Sequence, residues 1–183
     1  MTSLKQYYKA SVIVDNNILI DFYELDRLGL LFDVFSKVGI PKLIHDKEIE
    51  ENVIEILKNY QYELYNVESE TSYEAYAALT SNKRFKRLSE CDKLVISIAK
   101  QFDYYCTSND GLVRKACKEL NVKNIGTLGV IGCAYAINLI EKEEFLKIIG
   151  LLLSDSTSCH LKPEIVTSFL KRFDIVEDYR FYY

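Results

Sequence analysis

Histidine and cysteine, the side chains that most often bind zinc, are scarce in this sequence. It has two histidines and five cysteines, and no two cysteines form a CxxC pair. Structural zinc sites need four such ligands at short, characteristic spacings, so the sequence argues against zinc. Five scattered cysteines are instead typical of small apolar core residues in a reducing compartment, and we expect a cytoplasmic protein.

Proline and glycine are also rare, with two and seven residues, and the chain has no internal repeat or low-complexity tract. This argues against long disordered linkers. At 183 residues, with 49% hydrophobic and 27% charged residues, the chain suits one soluble domain with a substantial core. We expect a single domain over residues 1–183, with a core at about 11–140 and a helical extension at about 141–183.

No segment of the sequence predicts membrane association. The beginning, MTSLKQYYKAS, has no apolar core and is not typical of a signal peptide. The longest uncharged stretch, residues 124–140, is shorter than the roughly 20 apolar residues that a membrane helix needs, and it contains glycine, threonine and asparagine. We interpret it as a buried strand, a turn and a core helix.

A strongly basic composition, which is typical of nucleic-acid binders, is absent because the formal net charge is −4. The charge does not exclude such a protein, since a cluster of acidic metal ligands would itself lower the sum. Basic residues do cluster locally, with four cations in the run KRFKR. The candidate phosphate contacts are Lys83, Arg84, Lys86, Arg87 and Arg114, and the alternative is an ordinary solvated surface.

Short apolar runs alternate with segments of helical spacing along the chain. Residues 11–14 predict a buried strand, residues 18–31 a helix, residues 39–44 a second strand, and the residues from His45 a further helix. This alternation predicts an α/β fold, a three-layer α/β/α sandwich with a mostly parallel central sheet and extra C-terminal helices.

Four acidic residues occupy positions that such a fold brings together. Asp15 follows the first predicted strand, and Asp110 follows the strand that precedes the helix GLVRKAC. Asp92 lies in the first turn of a helix that Ser89 can cap, and Glu48 lies in the first turns of the helix after residues 39–44. Sites in parallel sheets form at the carboxyl edge of the strands, so we expect these carboxylates to converge there.

Several carboxylates at short range oppose one another's ionisation, and a divalent cation removes this objection. Mg²⁺ and Mn²⁺ prefer oxygen ligands and keep several waters, and a pair of such ions can promote phosphodiester hydrolysis without histidine or cysteine. Asn17 and Ser108 are candidates to hydrogen-bond a ligand carboxylate or a metal-bound water. The sequence thus favours a magnesium or manganese site.

Each of these residues also has a purely structural interpretation. Asp110 can be a helix N-cap, Asp92 can favour a helix dipole, and Asp15 can belong to a turn. Glu48 competes with its acidic neighbours or belongs to a solvated face, Asn17 and Ser108 can serve turns and caps, and we interpret Asp21 as structural. The competing acids near Glu48 are Asp46, Glu50 and Glu51.

Four segments in this order resemble the acidic motifs of the PIN domain family of metal-dependent nucleases: VIVDNNILID, IPKLIHDKEI, LSECDKLVISIA and CTSNDGLVRKA. The resemblance covers about residues 11–140, and the C-terminal helices resemble those of a bacterial, toxin-like subgroup. Two departures concern Asn16, where the family usually has threonine or serine, and a one-residue longer spacing from Pro41 to Glu48. The longer spacing leaves Asp46 and Glu51 open as alternatives to Glu48.

The resemblance implies metal ligation and catalysis by Asp15, Glu48, Asp92 and Asp110. It implies endoribonuclease activity with Mg²⁺ or Mn²⁺, an RNA substrate, and, as in toxins of toxin–antitoxin modules, a small inhibitor protein and a homodimer. One alternative is a non-catalytic PIN-like module that binds RNA or protein. Another is an aspartate-based phosphotransfer protein with Asp15 as nucleophile, although Asn17 stands where a dehalogenase-type phosphatase has a second aspartate.

Overall fold

A five-stranded parallel sheet forms the centre of the molecule. The computed structural model describes residues 4–155, 157–159 and 161–175. The strand order is β3-β2-β1-β4-β5, and every neighbouring pair is parallel. This confirms the predicted α/β fold. The strands are β1 (Ser11–Val14), β2 (Lys37–Pro41), β3 (Glu63–Tyr65), β4 (Tyr105–Thr107) and β5 (Asn124–Ile125).

Helices cover both faces of the sheet. The described helices are α1 (Asn16–Glu24), α2 (Gly29–Val34), α3 (Lys42–Lys47), α4 (Glu51–Leu57), α5 (Glu70–Ser81), α6 (Glu90–Phe102), α7 (Gly111–Glu119), α8 (Thr127–Ala136), α9 (Lys142–Leu151) and α10 (Pro163–Leu170). Short 3-10 helices within the described residues span Lys5–Tyr7, Lys83–Phe85 and Lys171–Phe173. α6 packs on β1, β2 and β4, whereas α2 packs on β2 and α8. Right-handed crossovers put these two groups on opposite faces. In the part of the chain that the structure describes, no helix is long and apolar enough to cross a bilayer.

The sheet reverses its direction of growth at β1. The chain first adds β2 and β3 on one side of β1 and then returns to add β4 and β5 on the other. Val14 at the end of β1 is paired with Thr107 at the end of β4, so Asp15 and Ser108 leave the sheet side by side. Val12, Ile13 and Val14 are fully buried, which fixes this edge firmly in the core. The switch point of a parallel sheet is where ligands usually bind.

Two predicted elements are divided differently in the structure. The helix predicted over residues 18–31 is two helices, because Asp26 adopts a left-handed conformation with φ of 53° and ends the first. The predicted strand at 39–44 ends at Pro41, and α3 begins at Lys42. Glu48 therefore lies at the end of α3, not in the first turns of a helix, and a short break separates it from α4.

The two C-terminal helices pack on α8 through aromatic rings. Phe145 of α9 stacks on Tyr135 with ring centroids 4.5 Å apart, and Phe173 packs edge-on to Phe169 at 5.3 Å. Gly132 lets Phe169 approach closely, because a Cβ at this glycine would lie 2.5 Å from the ring. The sequence of the aromatic ending DYRFYY, residues 178–183, is compatible with either a contact surface or a packed terminus, and this ending lies outside the described residues.

Gly39→Ala should destabilise the fold by about 1–3 kcal/mol, because overpacking in a core forces neighbours out of place. An added Cβ would lie 2.5 Å from the Tyr65 ring and 2.7 Å from Cδ1 of Ile13. The Tyr65 ring is itself held against Phe102 at 4.8 Å and cannot move aside freely. Urea unfolding monitored by circular dichroism measures the change.

Gly111→Ala is the control for this prediction, since nothing lies within 4 Å of its added Cβ. Gly111 is the first residue of α7, and alanine there should be neutral or stabilising by up to about 1 kcal/mol. Equal stabilities of the two variants would contradict the tight packing of β2 against β1 and β3.

Candidate metal-binding site at the switch point

The carboxyl group of Asp15 lies at the switch point between β1 and β4. Asp15 is only 4% exposed and stands at the N-cap position of α1, yet its side chain makes no capping bond. Its backbone N–H donates to Oγ1 of Thr107 at 3.2 Å, and its Oδ2 accepts from Oγ of Ser108 at 3.5 Å. Two residues at the end of β4 therefore hold Asp15 from the neighbouring strand.

The surroundings of Asp15 oppose its ionisation. Burial is the largest cause and, with the negative charges of Asp92 and Glu48, it raises the pKa of Asp15 to about 7. The backbone N–H of Asn16 and the Ser108 hydroxyl offset part of this effect by hydrogen bonding. The two side-chain charges that act most strongly on Asp15 are thus both acidic. Asp92 and Glu48 are therefore close enough to Asp15 for their charges to oppose its ionisation.

Glu48 is the acid of its segment that faces this group. Its backbone carbonyl accepts from Nδ2 of Asn16 at 3.3 Å, which ties the end of α3 to the start of α1. Burial and a hydrogen bond to the Glu48 carboxylate raise the pKa of the Cys91 thiol to about 12. Asp46, by contrast, accepts from Lys42 at 2.6 Å and contacts His45 at 3.1 Å. The bond from Lys42 is the main reason that the pKa of Asp46 is lowered.

Asp92 combines its predicted position with a structural role. It is half-buried in the first turn of α6, where Oγ of Ser89 accepts from its backbone N–H at 3.0 Å. In return, its Oδ2 accepts from the backbone N–H of Ser89 at 2.8 Å, completing a capping box. Since the box uses one carboxylate oxygen, the other is left for a ligand.

Asp110 has the same dual character at the start of α7. Its Oδ1 accepts from the backbone N–H groups of Leu112 at 2.6 Å and Val113 at 2.9 Å, so the N-cap role is present. Its own N–H donates to Oγ of Ser108 at 3.1 Å. The Ser108 hydroxyl therefore lies between Asp15 and Asp110 and links them. Asp110 itself is exposed at the edge of the site.

These residues suit Mg²⁺ or Mn²⁺ through the chemistry of their donors. Within residues 4–155, 157–159 and 161–175, no three acidic, histidine or cysteine side chains are grouped closely enough to form a ligand cage. Mg²⁺ does not require such a cage, because it usually binds through one or two carboxylates, several waters and substrate phosphates. All four candidates offer hard oxygen donors, and a cation would offset the repulsion felt by Asp15.

The remaining predicted residues differ in how close they come to this group. Asn17 is exposed on the first turn of α1 and makes no side-chain hydrogen bond to any described residue. Nε of Arg114 donates to the carbonyl of Ser108 at 3.4 Å, and its guanidinium fits there because Gly126 has no Cβ. Arg84 forms an ion pair with Glu119 at 2.7 Å. Lys83, Lys86 and Arg87 are exposed on the segment that leads into α6.

A buried polar network beside the site was not recognised from the sequence as part of it. Asp21, 4% exposed, accepts from Oγ1 of Thr127 and from Nδ2 of Asn109 at 2.8 Å. The sequence feature that could have revealed this network is an aspartate on the apolar face of α1, next to the buried Phe22. Thr107 and Cys91, which contact Asp15 and Glu48, had no comparable signal.

Asp15→Asn should stabilise the metal-free protein, and the effect should grow with pH. The pKa of Asp15 rises from 3.8 unfolded to about 7 folded, so ionisation opposes folding. Below about pH 4 the group is protonated in both states and contributes nothing, whereas above about pH 7 the full penalty applies. The variant should therefore gain up to about 4 kcal/mol at about pH 8 and little at about pH 4.

Urea unfolding of both proteins in excess chelator measures this difference. Asp46→Asn is the control, because the pKa of Asp46 is lowered and its loss should destabilise or leave the fold unchanged as pH rises. A pH-independent difference between wild type and Asp15→Asn would contradict the burial of an ionisable Asp15.

Comparison with known proteins assigns the chain to one family. A family model described as a PIN domain matches residues 11–174, which include all five strands and both C-terminal helices. No curated protein and no solved structure matches the chain significantly. The family match spans most of the chain and supports the resemblance carried by the four acidic segments. The chain belongs to the PIN domain family.

Proposed function

We propose that this PIN domain is a metal-dependent endoribonuclease that hydrolyses RNA phosphodiester bonds. The fold is that of a nuclease family. The observation that carries the proposal is Asp15, a buried carboxyl at the switch point whose pKa is raised by the negative charges of Asp92 and Glu48. Such an arrangement is unfavourable in the metal-free protein and becomes favourable when a divalent cation binds.

Asp15, Glu48, Asp92 and Asp110 are the residues that would hold Mg²⁺ or Mn²⁺. When bound, the metal supplies an activated water and stabilises the leaving oxygen of the phosphodiester. The chain supplies rigid placement of its acids. Thr107 and Ser108 fix Asp15, while the helix caps orient the carboxylates of Asp92 and Asp110. Acids fixed in this way need little rearrangement to bind an ion.

Basic side chains near these acids are proposed to bind the RNA backbone. Lys86 and Arg87 precede the first turn of α6, which carries Asp92, and Arg114 lies beside the Ser108 turn. Lys83 belongs to the same exposed segment. Arg84 is proposed to contribute less, because Glu119 already neutralises it. Contacts of this kind position a phosphate backbone without reading its sequence.

The finer proposal is that the protein is a cytoplasmic toxin of a toxin–antitoxin module. It rests on the resemblance of the C-terminal helices to a bacterial, toxin-like subgroup. In that setting a small inhibitor protein would bind the chain, and the nuclease would act as a homodimer. Growth arrest on induced expression, relieved by Asp92→Asn, supports this role; normal growth with an active nuclease contradicts it.

A second candidate, a non-catalytic PIN-like module that binds RNA or protein, is favoured by two observations. The described residues contain no ready ligand cage, and Asp92 and Asp110 both have capping roles that explain their positions without a metal. An aspartate-based phosphotransfer reaction is less well supported, because Asp15 is only 4% exposed. A burial-raised pKa also keeps this carboxyl partly protonated near neutral pH, which disfavours it as a nucleophile.

Replacing any one of Asp15, Asp92 and Asp110 by asparagine should lower Mn²⁺-dependent RNA cleavage by about 100-fold or more, because each change removes a charged ligand. Folding should be retained. Asparagine caps helices about as well as aspartate, so Asp110→Asn keeps the start of α7, and Asp92→Asn keeps an acceptor for Ser89. Cleavage of labelled single-stranded RNA with Mg²⁺, Mn²⁺ or chelator measures the effect.

Asp46→Asn is the matched control for these variants. It makes the same aspartate-to-asparagine change in the neighbouring helix α3, where Asp46 is paired with Lys42 and His45. Its activity should stay close to that of wild type. Full activity in two of the three site variants, or equal activity in excess chelator, would refute the proposed function; RNA binding without cleavage would favour the non-catalytic alternative.

Combined replacement of Lys86 and Arg87 by alanine should weaken RNA binding about 10-fold and leave kcat unchanged. Loss of two phosphate contacts should also reduce the slope of log affinity against log salt by about 1.4, at roughly 0.7 per contact for single strands. Fluorescence anisotropy with the inactive Asp110→Asn protein measures the affinity and its salt dependence, and cleavage at saturating RNA with Asp110 intact measures kcat. Arg84→Ala is the control on the same segment and should change affinity much less, since Arg84 is paired with Glu119; a larger effect of Arg84→Ala would contradict the assignment.

A further inference from the structure

Three hydrogen-bond donors from distant parts of the chain meet at one oxygen of Asp21. Its Oδ2 accepts from Oγ1 of Thr127, from Nδ2 of Asn109 at 2.8 Å and from Sγ of Cys159 at 3.5 Å. These donors belong to the start of α8, the turn after β4 and the segment between α9 and α10. Asp21 is 4% exposed and none of these three partners is a cation. Burial raises the pKa of Asp21, and these hydrogen bonds oppose that rise.

The side chain of Asn109 has a partner for both its nitrogen and its oxygen. Its Nδ2 donates to Asp21 and also to Oγ1 of Thr127 at 2.9 Å, while its Oδ1 accepts from the backbone N–H of Thr127 at 3.0 Å. Gly126 makes this approach feasible, because a Cβ there would lie 2.5 Å from Oδ1 of Asn109. The amide is therefore held in one orientation.

Asn109 stands between the two residues that link the acidic group. Ser108 reaches Asp15 and accepts from the backbone N–H of Asp110, and Asp110 caps α7. A turn of three residues whose central side chain is fixed has little freedom at its ends. The contacts of Asn109 thus control where Ser108 and Asp110 lie relative to Asp15.

We propose that Asp21 is a positioning residue for the acidic site: through Asn109 it fixes the turn formed by Ser108, Asn109 and Asp110. This inference rests on the proposed function as far as metal binding is concerned. An apolar residue would fill the same space in the core without the cost of burying a carboxyl group. A carboxylate at this position orients its hydrogen-bond donors, just as residues that are hydrogen-bonded to metal ligands orient those ligands.

A purely structural role for Asp21 would run through the segment between α9 and α10. Besides the bond from Cys159 to Asp21, this segment donates from N and Oγ of Ser158 to Oε2 of Glu24, at 2.6 and 3.0 Å. Glu24 lies one turn further along α1 and makes no bond to the turn 108–110 in the described part of the chain. Glu24→Ala and Cys159→Ala therefore release the segment while leaving Asn109 in place.

The decisive experiment compares Asp21→Ala with these two control variants in metal-free protein. Amide hydrogen exchange is measured at Asp110, Leu112 and Val113, whose N–H groups report the turn and the α7 cap. The amides of β1 serve as the reference for global stability. We expect exchange in Asp21→Ala to be about 10-fold faster at the turn relative to β1, and unchanged within about two-fold in both controls.

Mn²⁺ binding, followed by electron paramagnetic resonance, supplies the second measurement. Asp21→Ala should weaken it by about 10–100-fold, the usual effect of losing an outer partner of a metal ligand, and the controls should not. Asn109→Ala breaks the same link from the other side and should reproduce both effects. Asn109→Ala also replaces Asp21→Ala in both measurements if Asp21→Ala does not fold.

Unchanged exchange at the turn in a folded Asp21→Ala would overturn the proposal, as would an equal effect of Cys159→Ala; if Asp21→Ala does not fold, unchanged exchange in Asn109→Ala would overturn it. A wild-type protein that neither binds Mn²⁺ nor cleaves RNA would instead refute the proposed function. In that case the exchange comparison still decides whether Asp21 positions the turn.

Discussion

The burial of one carboxyl group at the junction of β1 and β4 is the constraint around which the acidic edge is organised. Asp15 cannot move into solvent, because it directly follows a strand whose residues Val12 to Val14 are fully buried. Thr107 and Ser108 hold it from the adjacent strand. The chain then adds further negative charges beside it instead of a basic partner. Such a group of like charges is unfavourable in a core, and this is the basis for the proposal that a cation binds here.

The helix caps connect folding to this site. Asp92 and Asp110 each use one carboxylate oxygen to satisfy backbone N–H groups at a helix start. The cap fixes the rotamer of the side chain, and the same hydrogen bonds stabilise α6 and α7. A capping role and a ligand role are therefore compatible, since a carboxylate has two oxygens. The structural and functional interpretations of these residues describe different atoms of the same group.

Local sequence signals predicted the parts of the structure that depend on neighbouring residues. β1, the Ser89 cap of α6 and the position of Asp110 before α7 follow from short patterns. The break between α1 and α2 did not, because it depends on a left-handed Asp26, for which the apolar spacing gives no sign. The predicted position of Glu48 was also wrong, because the helix after Pro41 begins earlier than its apolar residues suggest.

The polar network that supports the site could not be predicted from the sequence, because its hydrogen bonds join residues that are far apart in the chain. Thr107 meets Asp15 across 92 positions, and Thr127 meets Asp21 across 106. Only the strand order brings these polar residues together, and polar side chains at helix starts and turns have ordinary local explanations. The pKa of Asp15 is likewise set by groups from distant parts of the chain, since burial and the charges of Asp92 and Glu48 raise it. With a pKa of about 7, Asp15 is partly protonated near neutral pH, so the cation binding proposed for this site would release a proton.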